Sequence, residues 1–388
     1  MRKHNNKTVS VSLVLCIILS LLCSCSPYAE NGTPQNSENE ASEKPTELKI
    51  KYAQYFSIQY MEKGIKLITD AEGRVLLLVP DDVDVPSGYD DANLVRTPIQ
   101  KAFYGSPTHI GQLAVLDQEF LYDSIIALST DPAQWTNPEI TKRFENGQIE
   151  YVPTSGMSLP DIETILTIDP DVYFIDAQPS RSEDLLFDEV GIYYSAVGEY
   201  LEKSYEAQIE WIKYFGAFYN IDEYANTVFE EKIARLVEIR SLAANLAEDE
   251  KPLVACGMYS SGTIYTRTSD SMIAKGIRDT GGIYYIEGLF AEGNPRISME
   301  DFFDNARDAD ILIYTIAITF MPDRASLIES DPLFGDIKAV QNNQVYIFAA
   351  DYYMNNVQAD VLLEDMLTIL HPDLMPDHEL RLIVKLPD

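Results

Sequence analysis

Two stretches with the same plan decide the fold: LPDIETILTIDPDVYFID at residues 159–176 and ISMEDFFDNARDADILIYT at residues 297–315. Each begins a short predicted helix with an acidic residue, Glu163 or Glu300, and then passes through an Asp into an apolar strand. The second stretch contains a two-residue insertion, so the match is loose. A helix that leads into a buried strand is the repeating unit of a parallel sheet. The pair therefore predicts two similar α/β halves.

Short apolar runs continue this alternation on both sides. They are IQKAFYG, LYDSIIALS and IYYSAV in the first half, and LVACGMY, IYYIE, DILIYTIAI and QVYIFAA in the second. Residues 199–250 between them are nearly free of Pro and Gly, and their second half predicts a helix of about 27 residues, roughly 40 Å long. The pattern predicts an α/β fold of two βα lobes with mainly parallel central sheets, joined by one long helix.

The N-terminal third adds three further segments. Residues 2–22 combine Arg2, Lys3 and Lys7 with an apolar run too short to span a bilayer comfortably, which is typical of an export signal. Leu22-Cys23-Ser24-Cys25 resembles the bacterial lipoprotein cleavage box, with Cys25 as the lipidated residue. An ordinary signal peptide cut nearby is the alternative. Alternating residues at 48–80, with two Gly-bearing turns, predict a small antiparallel β-meander.

These boundaries divide the chain into five parts. Residues 1–24 are the lipoprotein signal. Residues 25–46 are rich in Asn, Ser, Glu and Pro and are predicted to form a disordered tether. Residues 47–220 form the N-terminal lobe with its meander, residues 221–249 the helix between the lobes, and residues 250–388 the C-terminal lobe. We expect an extracytoplasmic protein that is anchored to the cell membrane through Cys25.

Composition excludes two broad classes. The 388 residues include 29 Lys and Arg against 62 Asp and Glu, a formal charge of −33, which does not suit a nucleic-acid partner because phosphate binding needs clustered cations. With 46% hydrophobic residues the chain can fill a core, so disorder throughout is excluded. Removal of residues 1–24 leaves Cys25 and Cys256, and since Cys25 is predicted to be lipidated, no structural disulfide is expected.

Four segments carry a resemblance to a known family. PDVYFID, MYSSGTIYTRTSDSMIAKGIRDTGGIYYI, DPLFGDIKAVQNNQVYIF and DVLLEDMLTILHPDLM, in this order, resemble the substrate-binding proteins of iron-siderophore, haem and cobalamin ABC importers (class III). The resemblance covers roughly residues 98–375 and leaves out the meander. It implies two lobes bridged by a rigid helix, a ligand in the cleft between them and a monomer. The implied partners are an ABC permease with its ATPase.

The same resemblance implies which residues act. The family uses one surface Glu in each lobe to bind arginines of the permease, and the matching positions are Glu163 and Glu300. Ligands of open α/β sheets lie beyond the carboxyl ends of the strands, so loops after the predicted strands supply the candidate contacts. These are Tyr104, Trp135, Met157, Tyr265, Arg267, Phe290, Arg296 and Met321. Each has an ordinary structural alternative: a core position for Tyr104, a loop cover for Trp135, a surface ion pair for either Arg.

A ferric siderophore is the predicted cargo, with haem or cobalamin as alternatives on the same fold. Arg suits the carboxylates or catecholates of a chelate, and aromatic residues and Met suit a macrocycle. No resident cofactor and no metal site are predicted. Of the three His beyond the signal, only His109 follows a suitable strand, and there it is expected merely to begin a helix.

An enzyme is the competing class. A lipid-anchored hydrolase would use two carboxylates about 5–9.5 Å apart in a groove. A binding protein predicts instead one cleft walled by Tyr104 and Tyr265, without a close carboxylate pair. The sequence contains no nucleophile elbow, zinc-protease helix or phosphate loop, so we predict binding rather than catalysis.

Overall fold

A small four-stranded sheet begins the described part of the chain. The computed structural model describes residues 48–89, 93–154, 159–178, 187, 189–288 and 295–388, all within one unit, Lys44–Asp388. The strands of this sheet are β1 (Ser57–Tyr60), β2 (Lys66–Thr69), β3 (Val75–Pro80) and β4 (Asn93–Thr97). The first three are antiparallel neighbours, which confirms the predicted meander. The fourth lies parallel to β3 and was not predicted.

Two buried polar side chains attach this sheet to the first lobe. Asp70 closes the β2–β3 turn by accepting from the backbone nitrogens of Glu72 and Arg74, and its other oxygen accepts from Ala196 N at 2.8 Å. Lys66 donates to Ala217 O at 2.8 Å and pairs with Asp222. Burial lowers the pKa of Lys66 against the opposing effect of Asp222. The meander is therefore an integral part of the first lobe.

The first lobe is built on a five-stranded parallel sheet. Its strands are β5 (Ala102–Tyr104), β6 (Ile125–Leu128), β7 (Glu150–Tyr151), β8 (Val172–Asp176) and β9 (Tyr194–Val197), in the order β7-β6-β5-β8-β9. All four neighbouring pairs are parallel, as the alternation of strands and helices predicts. The helices between them are α1 (Pro107–Leu116), α2 (Glu119–Asp123), α3 (Pro138–Glu145) and α4 (Ile162–Ile168).

Two helices lead from the first lobe to the second: α5 (Tyr205–Phe218) and α6 (Asp222–Ala243). The second is the predicted interlobe helix, but it has 22 residues and ends at Ala243 rather than near residue 249. Beyond the helix, Leu246 lies against Gly281, where an added Cβ would lie 2.5 Å from Leu246 Cδ1. Gly281 also has a φ of +80°, which favours glycine. The close contact with Leu246 and the positive φ both explain why position 281 is glycine.

The second lobe contains a seven-stranded mixed sheet. Its strands are β10 (Leu253–Ser260), β11 (Thr263–Tyr265), β12 (Ile283–Tyr284), β13 (Arg296–Ser298), β14 (Ile311–Ala317), β15 (Val345–Phe348) and β16 (Ile383–Lys385). Strands β12, β14 and β15 continue the parallel core around β10, and β11, β13 and β16 are antiparallel additions. Its helices are α7 (Met272–Asp279), α8 (Met299–Ala306), α9 (Arg324–Ser330), α10 (Lys338–Gln341), α11 (Tyr352–Asn355) and α12 (Ala359–Leu370).

Ion pairs fix α6 to both lobes. Arg240 pairs with Glu206 of α5 and with Asp279 of α7, so that one guanidinium joins helices of the two lobes. Lys232 pairs with Asp360 of α12 at 2.7 Å. The predicted interlobe helix is therefore attached to both lobes by ion pairs. Among the described helices, none is long and apolar enough to cross a membrane.

Candidate functional site

The carboxyl ends of strands from both sheets meet around a cavity of about 290 Å³. This interlobe cavity is near the lower end of the usual range for small-molecule sites, about 300–1,000 Å³. Segments after the parallel strands β9 and β15 supply two of its walls, which is where an open α/β sheet places its ligand. A third wall follows β11, which runs antiparallel to β10. The lining residues are Tyr200, Tyr205, Gln208, Arg267, Ser271, Met272, Ile273, Phe348, Tyr352, Tyr353, Asn356 and Leu362.

Arg267 and two tyrosines form the wall from the second lobe. Among the described residues that line the cavity, Arg267 alone carries a charge. Tyr352 stacks on Phe348 with ring centres 3.7 Å apart, and Tyr353 lies edge-on to it and is 46% exposed. Burial raises the pKa of both phenols, and the charge of Arg267 opposes that shift. The phenols therefore stay neutral and can donate hydrogen bonds beside a cation.

The first lobe supplies Tyr200 and Tyr205. The Tyr200 hydroxyl donates to Ala177 O, and the Tyr205 hydroxyl donates to Met272 O at 2.6 Å, a bond between the lobes. Neither tyrosine was predicted, since Tyr205 begins a helix rather than a loop. The cavity is thus bordered by aromatic groups on both sides, with one cation on the side of the second lobe.

A smaller cavity of about 210 Å³ lies on the other side of α11. Trp135, Asp351 and Arg381 are among its lining residues. The two cavities are separated where α1 contacts α11: an added Cβ on Gly111 would lie only 2.2 Å from Met354 O. This close approach between the lobes requires glycine at position 111.

Two of the predicted contact residues line these cavities and one lies in the core. Arg267 lines the interlobe cavity, and Trp135, which donates to Thr130 O at 3.3 Å, lines the smaller one. Tyr104 is fully buried, and its hydroxyl is bonded to that of Tyr219 at 2.7 Å. A phenol enclosed in this way cannot contact a ligand, so Tyr104 is removed from the candidate contacts.

The remaining predicted contacts lie elsewhere. Arg296, on β13, is exposed and stacks over the ring of Tyr265 at 4.9 Å, and neither lines a described cavity. Met321 follows β14 and packs half-buried against the core. Met157 and Phe290 lie outside the described residues, as does Cys25.

The two predicted docking glutamates occupy matching positions. Glu163 is the second residue of α4, after the capping residue Asp161, and Glu300 is the second residue of α8, after the capping residue Ser298. Both side chains are exposed. Each helix then leads into a strand of its lobe's sheet, so the loose sequence repeat corresponds to a structural one.

A cluster of His109, Asp176 and Glu199 was not predicted. These residues stand at the carboxyl ends of β5, β8 and β9, and one potential ligand atom from each lies within 4.8 Å of the others. The structure therefore contains the close carboxylate pair that a binding protein was not expected to have. The carboxylates are closer than the 5–9.5 Å of a glycosidase pair, and Glu199 is 2% exposed. Burial raises the pKa of Glu199, and His109 opposes the shift.

Comparison with known families gives one match over most of the chain. The model of a family described as periplasmic binding protein matches residues 118–352. An uncharacterized lipoprotein of Methanocaldococcus jannaschii is 26% identical to this chain over 98% of the chain and 96% of the relative. Its similarity extends across the meander and the N-terminal segment as well as the lobes.

Solved structures show the same fold. A periplasmic solute binding protein from Veillonella parvula has a TM-score of 0.58 at 17% identity, over 82% of this chain and 89% of that one. A possible iron-binding, periplasmic solute-binding protein from Staphylococcus epidermidis has a TM-score of 0.54 at 17% identity, over 71% of this chain and all of that one (100%). Such likenesses confirm the two-lobed architecture.

Proposed function

The chain belongs to the periplasmic binding protein family, and we propose that its cargo is a ferric siderophore held in the interlobe cavity. Family membership makes it an extracytoplasmic solute-binding protein that works with an ABC permease, which confirms the prediction of binding rather than catalysis. The ferric siderophore is the finer step and rests on the chemistry of the cavity.

One observation carries this proposal: Arg267 and neutral tyrosine hydroxyls share the wall of the cavity. Ferric chelates with carboxylate or catecholate arms present anionic oxygens, which a guanidinium binds through paired hydrogen bonds. The phenols of Tyr352 and Tyr353 keep their protons because burial raises their pKa. They therefore suit donation to anionic oxygens. The possible iron-binding protein from Staphylococcus epidermidis, which has the same fold, is consistent with this cargo.

Haem is the second candidate, on one specific observation. Met272 lines the cavity, and a thioether can serve as an axial ligand of haem iron. The tyrosines are less suitable for that role, since a raised pKa disfavours the phenolate that would bind iron. No described residue of the cavity gives cobalamin comparable support.

A melting-temperature panel tests the cargo. Full-length protein in detergent is mixed with ferric catecholate, hydroxamate and carboxylate siderophores, haem and cobalamin. A cargo at 100 times its Kd stabilises the folded protein by about 2.7 kcal/mol, so one siderophore class should raise the melting temperature while its iron-free form raises it less. A shift with haem or cobalamin alone, or with none of the set, contradicts the ferric siderophore.

We also propose that Cys25 carries the lipid anchor. The name of the Methanocaldococcus relative, a lipoprotein, supports this, and more than one acyl chain gives stable anchoring where a single chain does not. Mass spectrometry of the membrane-extracted N-terminal peptide should find an acylated Cys25 at the first position. A chain that begins at another residue without lipid contradicts it.

A further inference from the structure

Three potential ligands converge at the edge of the first lobe, separate from the residues that line the interlobe cavity. His109 lies in the first turn of α1, Asp176 ends β8, and Glu199 follows β9 by two residues. His109 Nε2 lies 3.2 Å from Asp176 Oδ1. One ligand atom from each of the three side chains lies within 4.8 Å of the others. Residues far apart in the chain are thus brought together by the order of the parallel strands.

Two of these side chains are buried with polar atoms unsatisfied. His109 is 0% and Glu199 2% exposed. Among the residues that the structure describes, none forms a hydrogen bond with either ring nitrogen of His109 or with Oε2 of Glu199. The other oxygen of Glu199 accepts from the Thr108 hydroxyl at 2.5 Å. Buried polar groups without partners are costly and therefore rare, so these atoms point to a ligand.

We propose that His109, Asp176 and Glu199 bind one divalent transition-metal ion, such as Zn²⁺, with a fourth position open. Donors around a tetrahedral Zn²⁺ at about 2.0–2.1 Å lie about 3.3 Å apart, close to the observed separation of His109 and Asp176. The other donor atoms, which lie within 4.8 Å of one another, would approach each other by at most about 1.5 Å on binding the ion. Asp176 is half-buried, which leaves access from the surface. This revises the expectation that the chain has no metal site.

The type of ion follows from the donors. One imidazole nitrogen and two carboxylate oxygens suit Zn²⁺ or Mn²⁺, whereas Ca²⁺ takes roughly six to eight oxygens and Cu⁺ prefers sulfur. Thr108 acts as a positioning residue, because its hydroxyl holds Glu199 Oε1 and leaves Oε2 directed to the ion. Such partners outside the coordination shell change metal affinity about 10–100-fold.

A second His–carboxylate group in the chain serves as the matched control. His378 Nε2 lies 2.7 Å from Asp365 Oδ1, and its other ring nitrogen lies 3.8 Å from Glu364. Asp365 is equally buried but accepts from the backbone nitrogens of Leu382 and Ile383 at 2.6 and 2.9 Å. Its oxygens already have partners, so this group stabilises the C-terminal segment and is not expected to bind metal.

Equilibrium dialysis against Zn²⁺, with Co²⁺ absorption as a second readout, tests the proposal. Metal-stripped full-length protein should bind one tight Zn²⁺ and give the visible spectrum of Co²⁺ in a low-symmetry N/O site. His109→Ala and Glu199→Gln should each weaken binding at least about tenfold, since even partners outside the shell have effects of that size. His378→Asn should retain binding.

Two outcomes would overturn the metal site. One is the absence of tight Zn²⁺ binding, and the other is tight binding that His109→Ala leaves unchanged, which would assign the ion to the acidic surface. Should a buried variant fail to fold by circular dichroism, Asp176→Asn makes the same test from the half-buried side. This test is independent of the siderophore proposal. If a ferric siderophore raises the melting temperature but the protein does not bind Zn²⁺, only the proposed metal site is contradicted.

Discussion

The two lobes are alike at the surfaces where the permease is expected to bind, and they differ at the strand ends where the ligand is expected to bind. Glu163 and Glu300 are both exposed at the second position of a helix that precedes a strand. At the strand ends, the first lobe presents His109 with two carboxylates, and the second presents Arg267 with tyrosines. The scaffold is therefore repeated while its site chemistry is not, and an anionic cargo should be held mainly by the second lobe.

The largest effect is expected at the exposed helix-start glutamate that each lobe carries. Replacing both Glu163 and Glu300 by Ala should reduce uptake of the radiolabelled cargo more than tenfold, because losing one partner of a charge pair that becomes buried and hydrogen-bonded in the interface costs about 2–5 kcal/mol. Cargo affinity, measured by titration, should not change. The control is Glu223→Ala with Glu231→Ala, which removes the same charge from exposed positions of α6. Lost affinity in the first variant would instead place these acids in the ligand site.

The next effect concerns the part in which the lobes differ. Arg267→Ala should weaken binding of the ferric siderophore at least about tenfold, since a charge-assisted hydrogen bond contributes about 1.5–3 kcal/mol. Arg296→Ala, on the exposed face over Tyr265, should weaken it little. Isothermal titration measures both. The reverse order of effects would move the site from the interlobe cavity to the face of β11 and β13.

The smallest effect tests the meander that only the first lobe carries. Burial raises the pKa of Asp70 to about 6, against the backbone hydrogen bonds it accepts. A carboxyl whose pKa is raised by folding contributes stability below its unfolded pKa of 3.8 and loses it as pH rises through about 6. Between pH 4 and pH 7 the wild type should therefore lose about 2 kcal/mol relative to Asp70→Asn.

Urea unfolding of both proteins at several pH values measures this difference. The informative quantity is how the difference in unfolding free energy between the two proteins changes with pH, because Asn also loses a hydrogen bond to Ala196 at every pH. A gap that stays constant from pH 4 to pH 7 would mean that the three backbone donors outweigh burial and hold Asp70 ionised.

Periodicity predicted the lobes, the interlobe helix and most of the parallel strands of both sheets, but not the short strand β7 or the antiparallel strands β11, β13 and β16. Such features depend on local patterns of apolar residues, and the helix was wrong only at its end, where Leu246 packs against Gly281 from the other lobe. Parallel strand β4 was missed because its short run lies just before the recognised alternation.

The site was much less predictable. Tyr104 ends a strand buried on both faces, so alternation could not tell which side it occupies. His109, Asp176 and Glu199 each look ordinary in their own segment, as a helix start, a strand end and a turn. Only the strand order β5-β8-β9 brings them together. The loop after β15 did carry a signal, since adjacent Tyr352 and Tyr353 follow a predicted strand.

The location of bound iron shows whether the interlobe cavity holds a ferric siderophore. Crystals grown with the siderophore that gives the largest melting shift, measured at the iron absorption edge, reveal the iron as an anomalous peak. We expect this peak between the lobes, in the cavity lined by Arg267, Tyr353 and Tyr200, with chelate oxygens on the guanidinium. An iron peak at His109, Asp176 and Glu199, or outside the interlobe cavity, would contradict it.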